Sequence, residues 1–357
     1  MEIDLSHLNS SNREDRIRTI DAIGEEKSIS SLDALADHLE KETDRAIKEK
    51  CVLVFDRLLP CAGEQLVGKM FKSSDSFSRN CAVEAMKKAD DSVVPILAKL
   101  AQDDDRDVRK FAIDSLTTRD TPEVRSILRA KLKDSDPNVV YTAVEYLGFL
   151  GDEDSAGPIE HLALSCGNNP MLICTCLEAL AKIGSPVCSE ALLMHCENSD
   201  QASLYRYSIL KYLGSCAPYE LIESHILDLA GKSGNAFAKE IIDTMEAVCH
   251  RIPDLVLRPK LKELLRRLIF SVEARENQYE LTKLLANNLD VEQIRAGARL
   301  DLGSDDPMVV LAAIEILGQY GQRSDVDAME KLAEKTDSDE ILEAIGDSIE
   351  KIGGNSL

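Results

Sequence analysis

The stretch DPNVVYTAVEYLG at residues 136–148 returns, lightly edited, as DPMVVLAAIEILG at 306–318. Extended to 132–151 and 302–321, the two are identical at ten of twenty positions. A chain that repeats itself must solve the same packing problem in every copy, so self-similarity constrains the fold more than any other feature of these 357 residues. The offset of 170 equals five units of 34, which calls for weaker copies in between.

Those copies appear when Val139 is taken as an anchor and a capping residue is sought three positions earlier. The anchors are Ile47, Ser78, Val108, Val139, Leu172, Tyr205, Ala238, Val309 and Ile341. They lie 30 to 33 residues apart, except for one gap of 71 that holds a degenerate unit at about 254–289. With a first unit carried by Ile17, Ile20 and Ile23, the count is about eleven.

Each column has a physical reason. Three residues before the anchor stand Asp44, Asp75, Asp105, Asp136, Asn169, Ala202, Asn235, Asp306 and Ser338. All but Ala202 can accept a hydrogen bond from the free amides of a helix's first turn. Pro137, Pro170 and Pro307 follow at the first helical position, where a missing N–H does no harm.

Positions +4 and +8 from the anchor are apolar or small almost throughout, for example Ala143 and Leu147. Only Glu246 breaks the +8 column, with Met245 beside it to fill the slot. Anchor, +4 and +8 share one helical face, and the small +4 residue is expected to admit a neighbouring helix. A second amphipathic stretch precedes each such helix, as in TPEVRSILRAKLKD at 121–134. A lone helix pair cannot bury its apolar faces and a stack can. The expected fold is therefore an all-α superhelix, one solenoid of two-helix repeats over 1–357, with capping units at 1–30 and 322–357.

The pattern in DRDVRKFAIDSLT (105–117) and DPNVVYTAVEYLG resembles the HEAT repeat, in the short form often called PBS-lyase-like. The resemblance covers nearly the whole chain, is strongest over 100–215 and 300–353, and is poor over 250–290. It implies that the second helix of each pair lines a concave surface. It also implies a ladder in which the basic residue after the anchor bonds an Asp of the neighbouring layer. Lys48, Arg79, Arg109, Arg206 and Lys239 fit that ladder, whereas Val140, Ile173, Val310 and Leu342 depart from it.

Charge narrows the partners. Sixty-four acidic against 42 basic residues give a net charge of −22, which repels phosphate backbones and anionic membranes, so neither nucleic acid nor membrane is an expected partner. The first residues have no basic start and no signal-length apolar run, and no segment reads as membrane-spanning, so a cytoplasmic protein with reduced cysteines is expected. At anchor +6 stand Leu53, Glu84, Asp114, Glu145, Glu178, Lys211, Thr244, Glu315 and Asp347, six of the nine acidic. This column is expected to face away from the core, suited to a basic or mixed-charge protein segment. Tyr141 and Tyr207, both at anchor +2, are expected to point outward beside it, while Tyr205 and Tyr212 belong to the core. The candidate partner-binding residues are thus Asp114, Tyr141, Glu145, Glu178 and Tyr207.

Other constellations carry less. His161, Cys166, Cys174, Cys176, Cys188, His195 and Cys196 gather in two adjacent units, but Cys174 and Cys176 project about 200° apart on a helix and zinc spacing motifs are missing, so no metal or cofactor is expected. The basic run LRPKLKELLRRLIF (257–270) reads as an ordinary outer helix. The six histidines lack the His-Glu dipeptides of di-iron hydroxylases built on such repeats. A basic, aromatic groove of the kind DNA glycosylases with such repeats use is opposed by the net charge and the absence of Trp. The expected function is a non-enzymatic scaffold or regulatory adaptor that binds a partner protein on the concave face. The alternative is a phycobilin lyase-like protein handling its chromophore with residues such as Tyr141, Cys174 and Tyr207.

Overall fold

Helix starts follow the capping column. The Asp44 carboxylate accepts from the amides of Ala46 and Ile47, Asp75 from Ser78, Asp105 from Asp107 and Asp136 from Asn138. The Asn169 side chain accepts from Leu172, and Ser338 from Ile341. Ala202 is itself the first helical residue of its layer, and Gln201 before it makes no side-chain cap bond. The computed structural model describes residues 3–167, 169–184, 190–234, 236–252, 255–269, 291–304 and 307–354. Asn235, Asp306, Cys188 and most of the degenerate unit lie outside them.

The described helices form two compact units, Met1–Ile183 and Gly184–Leu357. The first opens with a 3-10 turn (Leu5–Asn9) and α1 (Arg13–Glu25), followed by α2 (Leu32–Lys41), α3 (Arg45–Leu58), α4 (Glu64–Phe71), α5 (Ser76–Lys88) and α6 (Val94–Leu100). It continues through α7 (Arg106–Leu116), α8 (Pro122–Lys131), α9 (Pro137–Phe149), α10 (Ala156–Ser165) and α11 (Pro170–Ile183). The second holds α12 (Glu190–Glu197), α13 (Ala202–Cys216), α14 (Tyr219–Ser233), α15 (Ala238–Arg251) and α16 (Pro259–Ile269). It ends with α17 (Val291–Asp301), α18 (Pro307–Tyr320), α19 (Arg323–Ala333) and α20 (Asp339–Gly354). No strand occurs among the described residues.

Within the first unit, sequential layers touch sequential layers. The anchor-bearing helices α1, α3, α5, α7, α9 and α11 each pack on the next, while α2, α4 and α6 form a second row. In the second unit α13 packs on α15 and α18 on α20. All nine anchors are buried, from Ile47 at 0% exposure to Ile341 at 7%. So is every +4 residue, and Met245 is fully buried beside the half-exposed Glu246. Each buried aliphatic side chain contributes about 1.5–3 kcal/mol, so a layer's stability comes chiefly from its neighbours.

The first unit's register, loosely marked in sequence, is clear here. Asn12 caps α1 through the Glu14 amide, which makes Asp15 the anchor position and places Thr19 and Ile23 at +4 and +8, both buried.

Four layers approach their neighbours closely through a residue that the columns did not mark, a glycine at +9. A Cβ added at Gly148 would lie 2.6 Å from Ala179 Cα, at Gly214 3.2 Å from the Thr244 carbonyl oxygen, and at Gly318 2.8 Å from Ser348 Cβ. Gly24 is the same position in the first layer, 3.2 Å from Val54 Cγ2. At Gly148, Gly214 and Gly318 the absence of a side chain lets two helix backbones meet, and Ala179, Thr244 or Ser348 at +6 or +7 of the next anchor-bearing helix completes the fit, whereas Gly24 makes room for the Val54 side chain.

Candidate interaction surface

Polar links between layers use up many of the charges that a binding surface would need. Arg109, the residue after its anchor, grips Asp134 of the next layer with two hydrogen bonds, Nη2 to Oδ1 at 2.8 Å and Nε to Oδ2 at 3.0 Å. Its Nη1 also donates to the carbonyls of Asp103 and Asp104 at 3.0 Å each. Arg16 repeats this arrangement with Glu42 (2.9 Å) and the Ser10 carbonyl (2.9 Å), and Lys48 reaches Asp75 at 3.4 Å. Arg79 departs from the ladder: its guanidinium turns back to the carbonyls of Ser73 and Ser74 in its own layer. Arg206 meets the Ser233 hydroxyl at 3.2 Å and lies over the Phe237 ring.

Two carboxylates absent from the sequence reading belong to the same framework. Asp152, 2% exposed, accepts from Arg129 Nε (2.7 Å) and Arg125 Nη1 (3.1 Å) and from the Ser155 hydroxyl. Asp325, fully buried, is held by Arg299 and by the Gln322 amide. Burial is the largest single influence on Asp134 and Asp152 and pushes both upward, yet their hydrogen bonds outweigh it and hold each at about 2.

A third set of links runs backward. Buried Arg119 donates to the Met86 and Ala89 carbonyls at the end of α5 (2.7 and 2.6 Å), Arg57 to the Gly24 carbonyl, and Arg251 to the Ala217 carbonyl at 2.6 Å. Each satisfies acceptors that the preceding helix leaves open at its end.

With the framework charges assigned, the outward column of the first unit can be read. Leu53, Glu84 and Glu145 are exposed, while Asp114 and Glu178 are half-buried. The acids are not equivalent. Lys87 lies 3.2 Å from Glu84 and Lys110 lies 2.7 Å from Asp114, each a helical neighbour that offsets the charge. Glu145 makes no hydrogen bond or ion pair among the described residues.

Tyr141 shares the face of Glu145 but is not a free group. It is half-buried, and its hydroxyl meets the amide of Asn169, the cap of α11, at 2.9 Å from Nδ2 and 3.1 Å from Oδ1. Val140 occupies the ladder position in this layer, and the tyrosine one residue later makes the inter-layer bond instead. Tied up in this way, Tyr141 is no longer a free group for a chromophore. Phe149, absent from the sequence reading, is 72% exposed at the end of the same helix.

In the second unit Tyr207 is 50% exposed, with Lys211 Nζ 4.5 Å from its ring centre. Tyr205 and Tyr212 are buried as expected. Thr244 is a correction to the +6 column. It is 4% exposed, packed against Gly214, with its hydroxyl donating to the Glu240 carbonyl at 2.7 Å.

Each unit also carries an open groove. One, of about 840 Å³ in the first unit, lies between α4 and α6 and is lined by Glu40, Glu64, Lys69, Lys72, Lys99 and Asp103 among others. Its lysines pair with Glu64, Asp103, Asp33 and Asp37, and Glu40 accepts from the hydroxyls of Ser73 and Ser74. The other, of about 930 Å³ in the second unit, lies between α14 and α16, with Leu227, Ala230 and Leu264 in its wall. Within the basic run, Arg258 bonds Glu223 at 2.8 Å. Among the described residues no group of three His, Cys, Asp or Glu stands close enough to hold a metal ion, and no helix is long and apolar enough to cross a membrane.

Comparison with known proteins agrees with this geometry. The family of HEAT repeats matches residues 93–168. No curated protein matches the chain in sequence. Among solved structures, importin beta in an ammonium sulfate condition is similar in fold at 12% identity, covering 98% of this chain and 57% of that one, with a TM-score of 0.58. Kap95p, in a structure on the switch loops of RanGDP, is similar at 10% identity, 98% and 57% coverage and a TM-score of 0.55. Kap121p bound to the extreme C-terminus of the protein phosphatase Cdc14p gives 14%, 99% and 46%, and 0.54. The chain thus spans about half the length of the structures it matches. Residues 93–168 are thus HEAT repeats, and the layered helix pairs give the chain the all-α solenoid fold of the structures it resembles.

Proposed function

We propose that the chain is a non-enzymatic scaffold that binds a basic or mixed-charge segment of another protein on the outward face of its anchor-bearing helices. Asp114, Glu145 and Glu178 with the ring of Tyr141 form the contact of the first unit, and Tyr207 is a separate candidate contact of the second. The carrying observation is Glu145: in a unit whose carboxylates are widely committed to neighbours, it stands exposed and unpaired on the stripe that the repeat brings round once per layer. Unpaired surface charge of one sign steers and orients a complementary partner. The fold supports the same reading, since the similar Kap121p structure holds the terminus of another protein.

The test is a charge reversal on that face. Asp114→Lys, Glu145→Lys and Glu178→Lys together are expected to abolish partner capture from the native cell. The control pair Glu123→Lys and Glu153→Lys, exposed acids outside this face, is expected to leave capture intact. Equal capture by both variants and the parent refutes the proposal.

A further inference from the structure

The outward face of α9 carries more than an acid. Tyr141, Glu145 and Phe149 follow one another at four-residue spacing, so their side chains lie along one stripe with Cβ atoms about 5–6 Å apart at each step. Glu145 is exposed and unpaired, and Phe149 beside it is one of the most exposed large apolar side chains of the unit at 72%. The half-buried Tyr141 closes the other end, its hydroxyl fixed to Asn169. α9 is also held firmly, because its Gly148 meets Ala179 of α11 backbone to backbone. A carboxylate next to a bare aromatic ring on a rigid helix matches a planar cation, which pairs with the acid through its N–H groups and lays its face on the ring.

Glu84 and Asp114 of the same column do not offer this combination. Glu84 and Asp114 each have a lysine at 3.2 and 2.7 Å, and the residues four positions after them are Lys88 and Thr118, neither of them aromatic. Lysine as the incoming cation would fit less well, since its compact, strongly hydrated ammonium gains little from a ring face in water.

We propose that the Tyr141–Glu145–Phe149 stripe of α9 receives an arginine side chain of the partner segment, its guanidinium paired with Glu145 and stacked on Phe149. This rests on the reading of the face as a protein-binding surface and names the side chain it selects.

The experiment uses the full chain and a fluorescein-labelled Gly/Ser peptide carrying a pair of arginines, with lysine and citrulline counterparts, followed by fluorescence anisotropy. The arginine peptide is expected to bind more tightly than the lysine peptide, and the citrulline peptide not to bind. Phe149→Ala should weaken the arginine peptide by roughly threefold to fivefold and erase its advantage over lysine, whereas Phe149→Tyr should keep that advantage. Glu145→Gln should weaken both cationic peptides, and Glu84→Gln neither. Circular dichroism of each variant should match the parent, since both side chains are exposed. No saturable binding up to millimolar protein, or an arginine preference that survives Phe149→Ala, overturns the assignment. If partner capture falls with the triple charge reversal yet ignores Phe149→Ala, this inference fails and the scaffold reading stands. If arginine selection holds while capture ignores the triple reversal, the scaffold reading fails alone.

Discussion

Replacing Gly148 with alanine tests the layer contact directly. In an isolated helix the change would help, because alanine is favoured over glycine in a helix interior by about 0.5–1 kcal/mol. Here the new methyl would sit 2.6 Å from Ala179 Cα and 2.8 Å from Ala179 Cβ. Carbon atoms prefer about 3.5–4.0 Å, so α9 and α11 must part by roughly 1 Å, which forfeits a quarter to a half of the dispersion energy at that seam. Overpacking of this kind costs about 1–3 kcal/mol, and after the helix gain is subtracted a net loss of up to about 2.5 kcal/mol remains, about 1 kcal/mol at the midpoint. Gly346 in α20 supplies the opposite case, since it is exposed and a Cβ there meets nothing within 4 Å. Gly346→Ala should stabilise by about 0.5–1 kcal/mol. Urea unfolding followed by circular dichroism reads the sign of each change, and hydrogen exchange places the Gly148→Ala effect at α9 and α11. Ala179→Gly in the same chain should restore part of the loss but not all, because the new methyl still meets the α11 backbone. If Gly148→Ala raises the unfolding midpoint as Gly346→Ala does, the account of how layers meet is wrong.

Three further outcomes follow from the geometry. Asp134 and Asp152, at about 2 against an ordinary 3.8, stabilise the fold fully above about pH 4 and lose that contribution as pH falls toward 2; each accounts for about 2 kcal/mol, so Asp152→Asn should lower stability at neutral pH and flatten the acid limb of a urea-midpoint-against-pH curve. Tyr141→Phe removes the bond to Asn169 and should cost about 0.5–1.5 kcal/mol, with faster hydrogen exchange at the first turn of α11. Burial pushes the thiols of Cys51 and Cys81 up to about 12, whereas Cys61 is exposed; Ellman's reagent at pH 8 should label Cys61 quickly and the other two only after unfolding.

The local grammar of the repeat was readable from sequence because each copy poses the same short-range problem. Asp44, Asp75, Asp105 and Asp136 cap helices, and the anchors behind them are buried, because both roles depend on residues within one or two turns. The packing of one layer on the next was harder. Gly148 and Gly318 end the very phrase that reveals the repeat, yet a meeting of two backbones is a property of neighbouring helices and leaves no local signature beyond the glycine. Thr244 was misplaced because a single column assumes one helix rotation in every layer, and α15 turns that residue toward α13. The acidic column looked uniform since it was read across repeats; along each helix, Lys87 and Lys110 already sit beside Glu84 and Asp114. Phe149 escaped because +10 lies outside the periodic columns. Arg57, Arg119 and Arg251 were silent because their acceptors are main-chain carbonyls, which any sequence possesses.

Those three arginines bear on how the molecule is made. Each reaches back to carbonyls of a helix synthesised about thirty residues earlier, so a nascent layer emerging from the ribosome keeps open acceptors at its trailing end until the following one arrives to close them. At these three seams the closing of a layer therefore waits for the next helix pair to be synthesised, and a transcript broken there yields a product whose last layer is left unsealed.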